Sequence, residues 1–263
     1  FKEVNINGLR NVLDLCLKYK TKKIINTSSS AIFGVPKNLP IDELSVPFPA
    51  EEYGKAKLKA ENLCKEYILK GLNISIVRPR TIIGTGRLGI FEILFDWVKK
   101  GKKIPVFDNG NNIYQFIHAE DLAKICILVA KNPSSEIYNA GAQKYSTMRE
   151  SLEALCKHAK SGSKTFSIPM KPLEIIMNIT SKLGISPLGD YHSLMYGRSL
   201  YFDNSKILQD LKYKTIYSND SAICESYDFY LKSLSEINQD DRNFSKHKSK
   251  VDRKILKLLE FFL

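Results

Sequence analysis

The sequence predicts an α/β fold built on a parallel sheet, with a smaller, mostly helical C-terminal lobe. Three observations carry this expectation. Short β-branched runs alternate with stretches of helical periodicity. The runs are far enough apart for the crossovers that parallel strands require. Beyond Gly141 the strand signals give way to helical ones.

The elements follow in order. Residues 4–17 place Val4, Leu9, Val12, Leu13, Cys16 and Leu17 at helical spacing. Ile24-Ile25-Asn26-Thr27 reads as a buried strand. Residues 34–50 hold Gly34, Pro36, Pro40, Pro47 and Pro49 and read as a loop. A helix is expected over 53–69, stopped by Gly71. Ile74-Ser75-Ile76-Val77 is a second strand, ended by Pro79. Residues 91–99 are helical, and 104–107 and 113–117 are short strands around the turn Asp108-Asn109-Gly110. A helix at 121–130 and a third buried strand at 136–139 complete the sheet region. Helices are then expected at 147–159, 170–183, 203–210 and 219–233. Residues 234–250 are polar and read as a linker, and 251–263 as a short basic amphipathic helix. The expected domains are therefore 1–145 for the sheet, with lobe insertions near 80–115, then 146–233 for the lobe and 234–263 for linker and tail. The tail helix is read first as a packing element; contact with an anionic membrane surface is the less favoured alternative.

Composition narrows the function classes. With 263 residues and 43% hydrophobic content, the chain is long enough for one large domain or a domain plus a lobe. No stretch is long and apolar enough to span a bilayer, and the opening residues lack a basic-then-apolar leader pattern. The five cysteines, Cys16, Cys64, Cys126, Cys156 and Cys224, include no Cys-x-x-Cys pair. They read as buried thiols and imply neither a disulfide framework nor a zinc site, so no metal is expected and the setting is cytoplasmic. The net charge of +12 and pI near 9.3 suit nucleic acid, anionic membrane or phosphorylated small molecules. The lysines are spread along the chain without a nucleic-acid motif, so a solvated basic surface is expected and a nucleic-acid partner is not.

The chemistry centres on Tyr53-Gly54-Lys55-Ala56-Lys57, which puts a phenol and an ammonium on one helix face. A free tyrosine, with a pKa near ~10, is a poor base at neutral pH. A neighbouring cation favours the phenolate and lowers that value. The pair can then move a proton on or off a substrate oxygen while a hydride moves at carbon. Tyr19 and Lys23 repeat the spacing and receive no function, because they straddle a helix end and a strand start. Ser28-Ser29-Ser30 lies where the strand 24–27 ends, the position at which parallel sheets bind ligands.

The order Thr27-Ser28-Ser29-Ser30-Ala31-Ile32-Phe33-Gly34, then Tyr53 to Lys57 with Glu61, then Arg78-Pro79, then Phe116-Ile117-His118-Ala119-Glu120-Asp121-Leu122-Ala123 resembles extended short-chain dehydrogenases/reductases, the NAD-dependent epimerase/dehydratase family. Tyr138-Asn139-Ala140-Gly141 and the opening Val4-Asn5-Ile6-Asn7-Gly8 extend the resemblance, which covers residues 1 to about 235. It implies a Rossmann-like doubly wound parallel sheet and a bound NAD or NADP. Carried over by residue, Tyr53 would be the general acid/base, and Lys57 would lower its pKa and hold the nicotinamide ribose. Ser29 would orient the substrate. Asn5, Thr27 and Pro79 would lie along the cofactor, and Arg80 and Thr81 would face nicotinamide or substrate. His118 belongs to the motif as a structural residue. The partners implied are a small-molecule substrate and, in the full-length form, a second copy docked through the helix at 53–70 and its neighbour.

Two departures bear on function. The family's Gly-x-x-Gly-x-x-Gly loop does not occur in residues 1–72, whose glycines are Gly8, Gly34, Gly54 and Gly71. The sequence is therefore expected to start inside the family's fourth helix, N-terminally truncated, with the first strands, the pyrophosphate loop and the ribose reader missing. Second, Tyr114 occupies the place, two residues before Phe116, where nucleotide-sugar members carry an arginine. Gly84-Thr85-Gly86-Arg87-Leu88-Gly89 matches the dinucleotide pattern, but it is read as a substrate loop, since it does not directly follow the strand ending at Pro79. The main expectation is an epimerase, dehydratase or reductase working at a hydroxyl-bearing carbon, with a nucleotide sugar as substrate. The alternatives are an enzyme of hydrophobic alcohols or ketones and a non-catalytic fragment.

Overall fold

In the computed structural model, residues 3–88, 91–169 and 197–237 are described. A π-helical stretch (Glu3–Gly8) runs into α1 (Leu9–Lys18), so the single helix expected at 4–17 has two geometries. Next come β1 (Ile24–Thr27), a 3₁₀ turn (Ser30–Phe33), α2 (Glu52–Leu69), β2 (Ile74–Pro79) and β3 (Thr81–Ile83). They are followed by α3 (Phe91–Lys99), β4 (Ile104–Phe107), β5 (Phe116–His118), α4 (Ala119–Lys131) and β6 (Ile137–Ala140). The remaining described elements are α5 (Met148–Ala159), β7 (Thr165–Ile168), α6 (Ser205–Leu211) and α7 (Asn219–Ile237). The helix expected at 170–183 and the tail helix at 251–263 lie outside the described residues. So does most of the expected linker, since α7 continues through the residues where it was to begin.

Among the described residues, the chain divides into two compact units that alternate along the sequence. The first takes residues within 1–82, 115–143 and 200–216, and the second takes residues within 83–114, 144–199 and 217–263.

The first unit is built on three parallel strands in the order β1-β2-β6. The register pairs Ile24 with Ile74 and Ile76 with Ile137. Side chains alternate between the faces of a strand, and β2 uses both. Ile74 and Ile76 pack with Leu13 of α1 and with Leu63, Cys64 and Tyr67 of α2. Val77 packs on the other face with Ile125 and Val129 of α4 and Ile207 of α6. Helices thus cover both faces, which explains why β2 is buried along its whole length. Full burial of each of these aliphatic side chains contributes about 1.5–3 kcal/mol. At the amino ends of the strands, Lys23 Nζ donates to Asn73 Oδ1 at 3.0 Å, Ser75 Oγ at 2.8 Å and the Ser134 carbonyl at 2.6 Å. Every donor of that ammonium is used.

The second unit pairs β4 with β7 in parallel, from Ile104 opposite Thr165 to Phe107 opposite Ile168. Phe95 of α3 meets the rings of Tyr227 and Tyr230 of α7 at 5.8 Å and 5.9 Å. Thr147 and Glu150 close a capping box at the start of α5. No described helix is long and apolar enough to cross a membrane.

Candidate active site

The site begins where β1 ends. The Ser28 amide donates to the Val77 carbonyl at 2.8 Å and so extends the pairing with β2 by one residue. Ser29 is extended, and its Oγ accepts from the Ala31 amide at 3.2 Å, which caps the 3₁₀ turn. The serine run is therefore an N-cap as well as a polar loop. Gly34 ends the turn at a φ of 52°; a Cβ there would lie 2.5 Å from the Phe48 carbonyl oxygen.

Helix α2 brings the phenol and the ammonium to this turn. Tyr53 lies in its first turn and Lys57 one turn later, with Lys57 Nζ 5.9 Å from the Tyr53 ring centre. Lys57 Nζ also donates to the Thr27 carbonyl at 3.1 Å. Burial pushes the Lys57 pKa below its ordinary value. Gly54 permits the close approach, because any Cβ there would strike the Ala31 carbonyl oxygen. One further turn along, Glu61 accepts from Arg78 Nε at 2.9 Å and Nη2 at 2.8 Å, in a pair buried on both sides. The Arg78 guanidinium also lies 5.3 Å from the Phe33 ring. Helix α2 is thus tied to β1 through Lys57 and to β2 through Glu61.

Thr27, Ser29, Tyr53 and Lys57 are brought together at the carboxyl end of β1, the location expected for a ligand. Pro79 closes β2 opposite Ala140, and Arg80 follows it with its side chain 1% exposed. Thr81 opens β3. Asn5 is half-buried in the π-helical stretch, which packs on α2. His118 caps α4, its Nδ1 accepting from the Glu120 amide at 3.2 Å, in keeping with a structural role. Tyr114 is buried, and its carbonyl accepts from Asn219 Nδ2 at 2.9 Å. The glycine pattern at 84–89 does follow a strand directly, contrary to the expectation, because β3 ends at Ile83. That strand pairs with β5 and is no part of the three-stranded parallel sheet. Gly89 lies outside the described residues. Among the described residues no His, Cys, Asp and Glu group is arranged to hold a metal.

Sequence reasoning missed the bond from Arg80 Nη1 to Ser30 Oγ, 2.8 Å long between two buried side chains. The alternation Arg78-Pro79-Arg80 was a signal for it, because a two-residue period puts both arginines on one strand face.

The sequence profile of the NAD dependent epimerase/dehydratase family matches residues 1–141. The chain belongs to that family. The uncharacterized protein y4nG of Sinorhizobium fredii is 46% identical over 264 residues, covering 100% of this chain and 66% of that protein. A protein named as a putative UDP-glucose 4-epimerase of Methanocaldococcus jannaschii is 32% identical over 179 residues, covering 65% of this chain and 58% of that protein. The chain thus spans about two thirds or less of the curated relatives it matches. The crystal structure of UDP-glucuronic acid 4-epimerase from Bacillus cereus, in complex with UDP-glucuronic acid and NAD, superposes with a TM-score of 0.70. It is 21% identical, with 89% of this chain and 69% of that chain covered. The likeness establishes a Rossmann-like α/β fold for this family member.

Proposed function

We propose that this chain supplies the proton-transfer part of an NAD-dependent enzyme that epimerises a hydroxyl-bearing carbon of a nucleotide sugar. One observation carries the reading: the Lys57 ammonium is held between the Thr27 carbonyl, at 3.1 Å, and the Tyr53 ring, at 5.9 Å, beside the Ser29 cap. The names of the Methanocaldococcus and Bacillus relatives support the substrate class.

The residues fit a nicotinamide dinucleotide. Lysine has three donors, and the Thr27 carbonyl takes one, which leaves donors for ribose hydroxyls. Asn5, Thr27 and Pro79 would lie along the same cofactor. When bound, the nicotinamide would take a hydride from carbon and return it. Tyr53 takes the substrate's hydroxyl proton and later gives it back. The nearby ammonium favours the phenolate that this requires. Ser29 Oγ donates to the substrate oxygen and holds it against the phenol, and Thr81 would line the same substrate. A homodimer through α1 and α2 belongs to the same reading, and the exposed Val12 and Leu15 on α1, with Tyr19 just past its end, support it.

A second reading, a hydrophobic alcohol or ketone as substrate, is favoured by Tyr114, which puts a neutral ring where a phosphate-binding arginine would stand. The two readings separate in the intact protein, by following inversion of UDP-glucose and UDP-glucuronic acid against NAD⁺ reduction by hydroxysteroids. On the active substrate, Tyr53→Phe is expected to lower kcat by about a hundredfold or more. Undiminished turnover in that variant would reject Tyr53 as the acid/base.

A further inference from the structure

The face of β2 that looks towards α2 changes chemistry along its length. Ile74 and Ile76 supply aliphatic packing, Arg78 follows at the same two-residue period, and Arg80 continues the spacing one residue beyond the strand's end. Arg78 is engaged by Glu61 of α2. Arg80 faces the serine turn instead. Its amide donates to the Ala140 carbonyl at 2.8 Å, so the backbone still runs along β6. Its Nη1 donates to Ser30 Oγ at 2.8 Å, and its guanidinium centre lies 5.9 Å from the Phe202 ring. Phe202 in turn meets Phe33 edge-on, with ring centres 5.9 Å apart. Ser30 and Phe33 are the first and last residues of the 3₁₀ turn that Ser29 caps. Arg80 therefore reaches one end of the turn by a hydrogen bond and the other through an aromatic contact. A guanidinium suits this double duty, since its planar fork can donate and stack at once.

Building on the Ser29, Tyr53 and Lys57 site, we propose that Arg80 is a positioning residue for Ser29. It acts through Ser30 and Phe202, instead of facing the nicotinamide or substrate as the family resemblance implies. On that reading the serine hydroxyl must reach the same substrate oxygen as the Tyr53 phenol, and the turn it caps is only four residues long. Without the clamp the turn keeps its cap but loses its fixed distance from α2.

A double-mutant cycle in the intact protein tests this, with Arg80→Met, Ser30→Ala and the combined variant. The readouts are kcat on the active sugar nucleotide and the Kd for NAD⁺. Each single change is expected to lower kcat by about tenfold to a hundredfold, as misplacement of a reacting group does. The combined variant should fall no further than the worse single one, because both changes remove one interaction. The Kd for NAD⁺ should stay within about twofold of the parent in all three. If Arg80→Met does not fold, Arg80→Lys replaces it, keeping a donor while losing the stacking surface. Weakened NAD⁺ binding at unchanged kcat would place Arg80 on the cofactor and overturn the proposal. Losses that multiply, or a parental kcat in Ser30→Ala, would overturn it as well. Tyr53→Phe keeps the two readings apart: parental turnover there sinks the site itself, whereas a failed cycle beside an inactive Tyr53→Phe sinks only the role of Arg80.

Discussion

Lys57 serves two opposed ends. In the proposed reaction its charge would favour the Tyr53 phenolate, yet its half-buried position lowers its own pKa from 10.5. Between the lowered value and 10.5 the unfolded chain binds more protons than the folded one. Stability therefore rises with pH through that window, and below it the folded protein carries the cost of a desolvated charge. We expect Lys57→Met to melt no lower than the parent at neutral pH, with the difference narrowing as pH climbs towards 10.5. Its turnover should drop by about 10²–10⁴-fold. Melting curves across pH, paired with kcat, check both halves; a clearly lower melting point at pH 7 would mean the ammonium is a net stabiliser. Lys23 shows what spacing cannot reveal. It repeats the Tyr-x-x-x-Lys pattern, but its partners Asn73, Ser75 and Ser134 lie 50, 52 and 111 residues away. Nothing local marked it as a pin for the strand ends. The same is true of Ser30, which looked like one serine among three until Arg80 closed on it.

Helix α2 can serve the site only if it lies close against the serine turn, and Gly54 sets that closeness. A methyl group at this position must push the helix away from the Ala31 carbonyl. Gly54→Ala is expected to cost about 1–3 kcal/mol of stability, as overpacking does. Its kcat should fall by about a hundredfold if the turn and the phenol separate by an ångström. Denaturant unfolding and steady-state kinetics measure the two; parental kcat would show that the gap can absorb a methyl. Other elements differed in how plainly the sequence announced them. The strand β2 stood out because a central parallel strand, buried along its whole length, reads as a nearly continuous apolar run. The strands β3 and β7 did not, since three or four residues are too few to show a period. The strand β3 is defined by its pairing with β5, a contact across more than thirty residues of sequence. The 3₁₀ turn was hidden for another reason: Ser-Ala-Ile-Phe has no helical stripe, and its cap becomes visible only in the Ser29 geometry.

On the scale of the whole molecule, α1 offers a row of apolar side chains to the outside. Val12, Leu15 and Tyr19 are 52%, 53% and 71% exposed, while Leu13 beneath them is buried. If two copies meet there, Leu15→Lys should turn the intact protein from dimer to monomer in sedimentation experiments, with its secondary structure intact. An unchanged mass would exclude α1 from the interface. Domain layout was the least legible feature of the sequence. Composition changes near Gly141 and suggested a boundary there, with lobe insertions near 80–115, but the compact units alternate and nothing in the sequence marked residues 200–216 as the last piece of the first unit. Periodicity records what each segment buries, not which distant segment buries it. That alternation also sets a schedule for the newborn protein. Phe202, against which Arg80 stacks, leaves the ribosome more than a hundred residues after it. At about 5–20 residues per second the interval is on the order of ten seconds. Throughout it Ser29, Tyr53 and Lys57 are already made while Arg80 still lacks its aromatic neighbour, so the surroundings of the serine turn are completed long after the turn itself is synthesised.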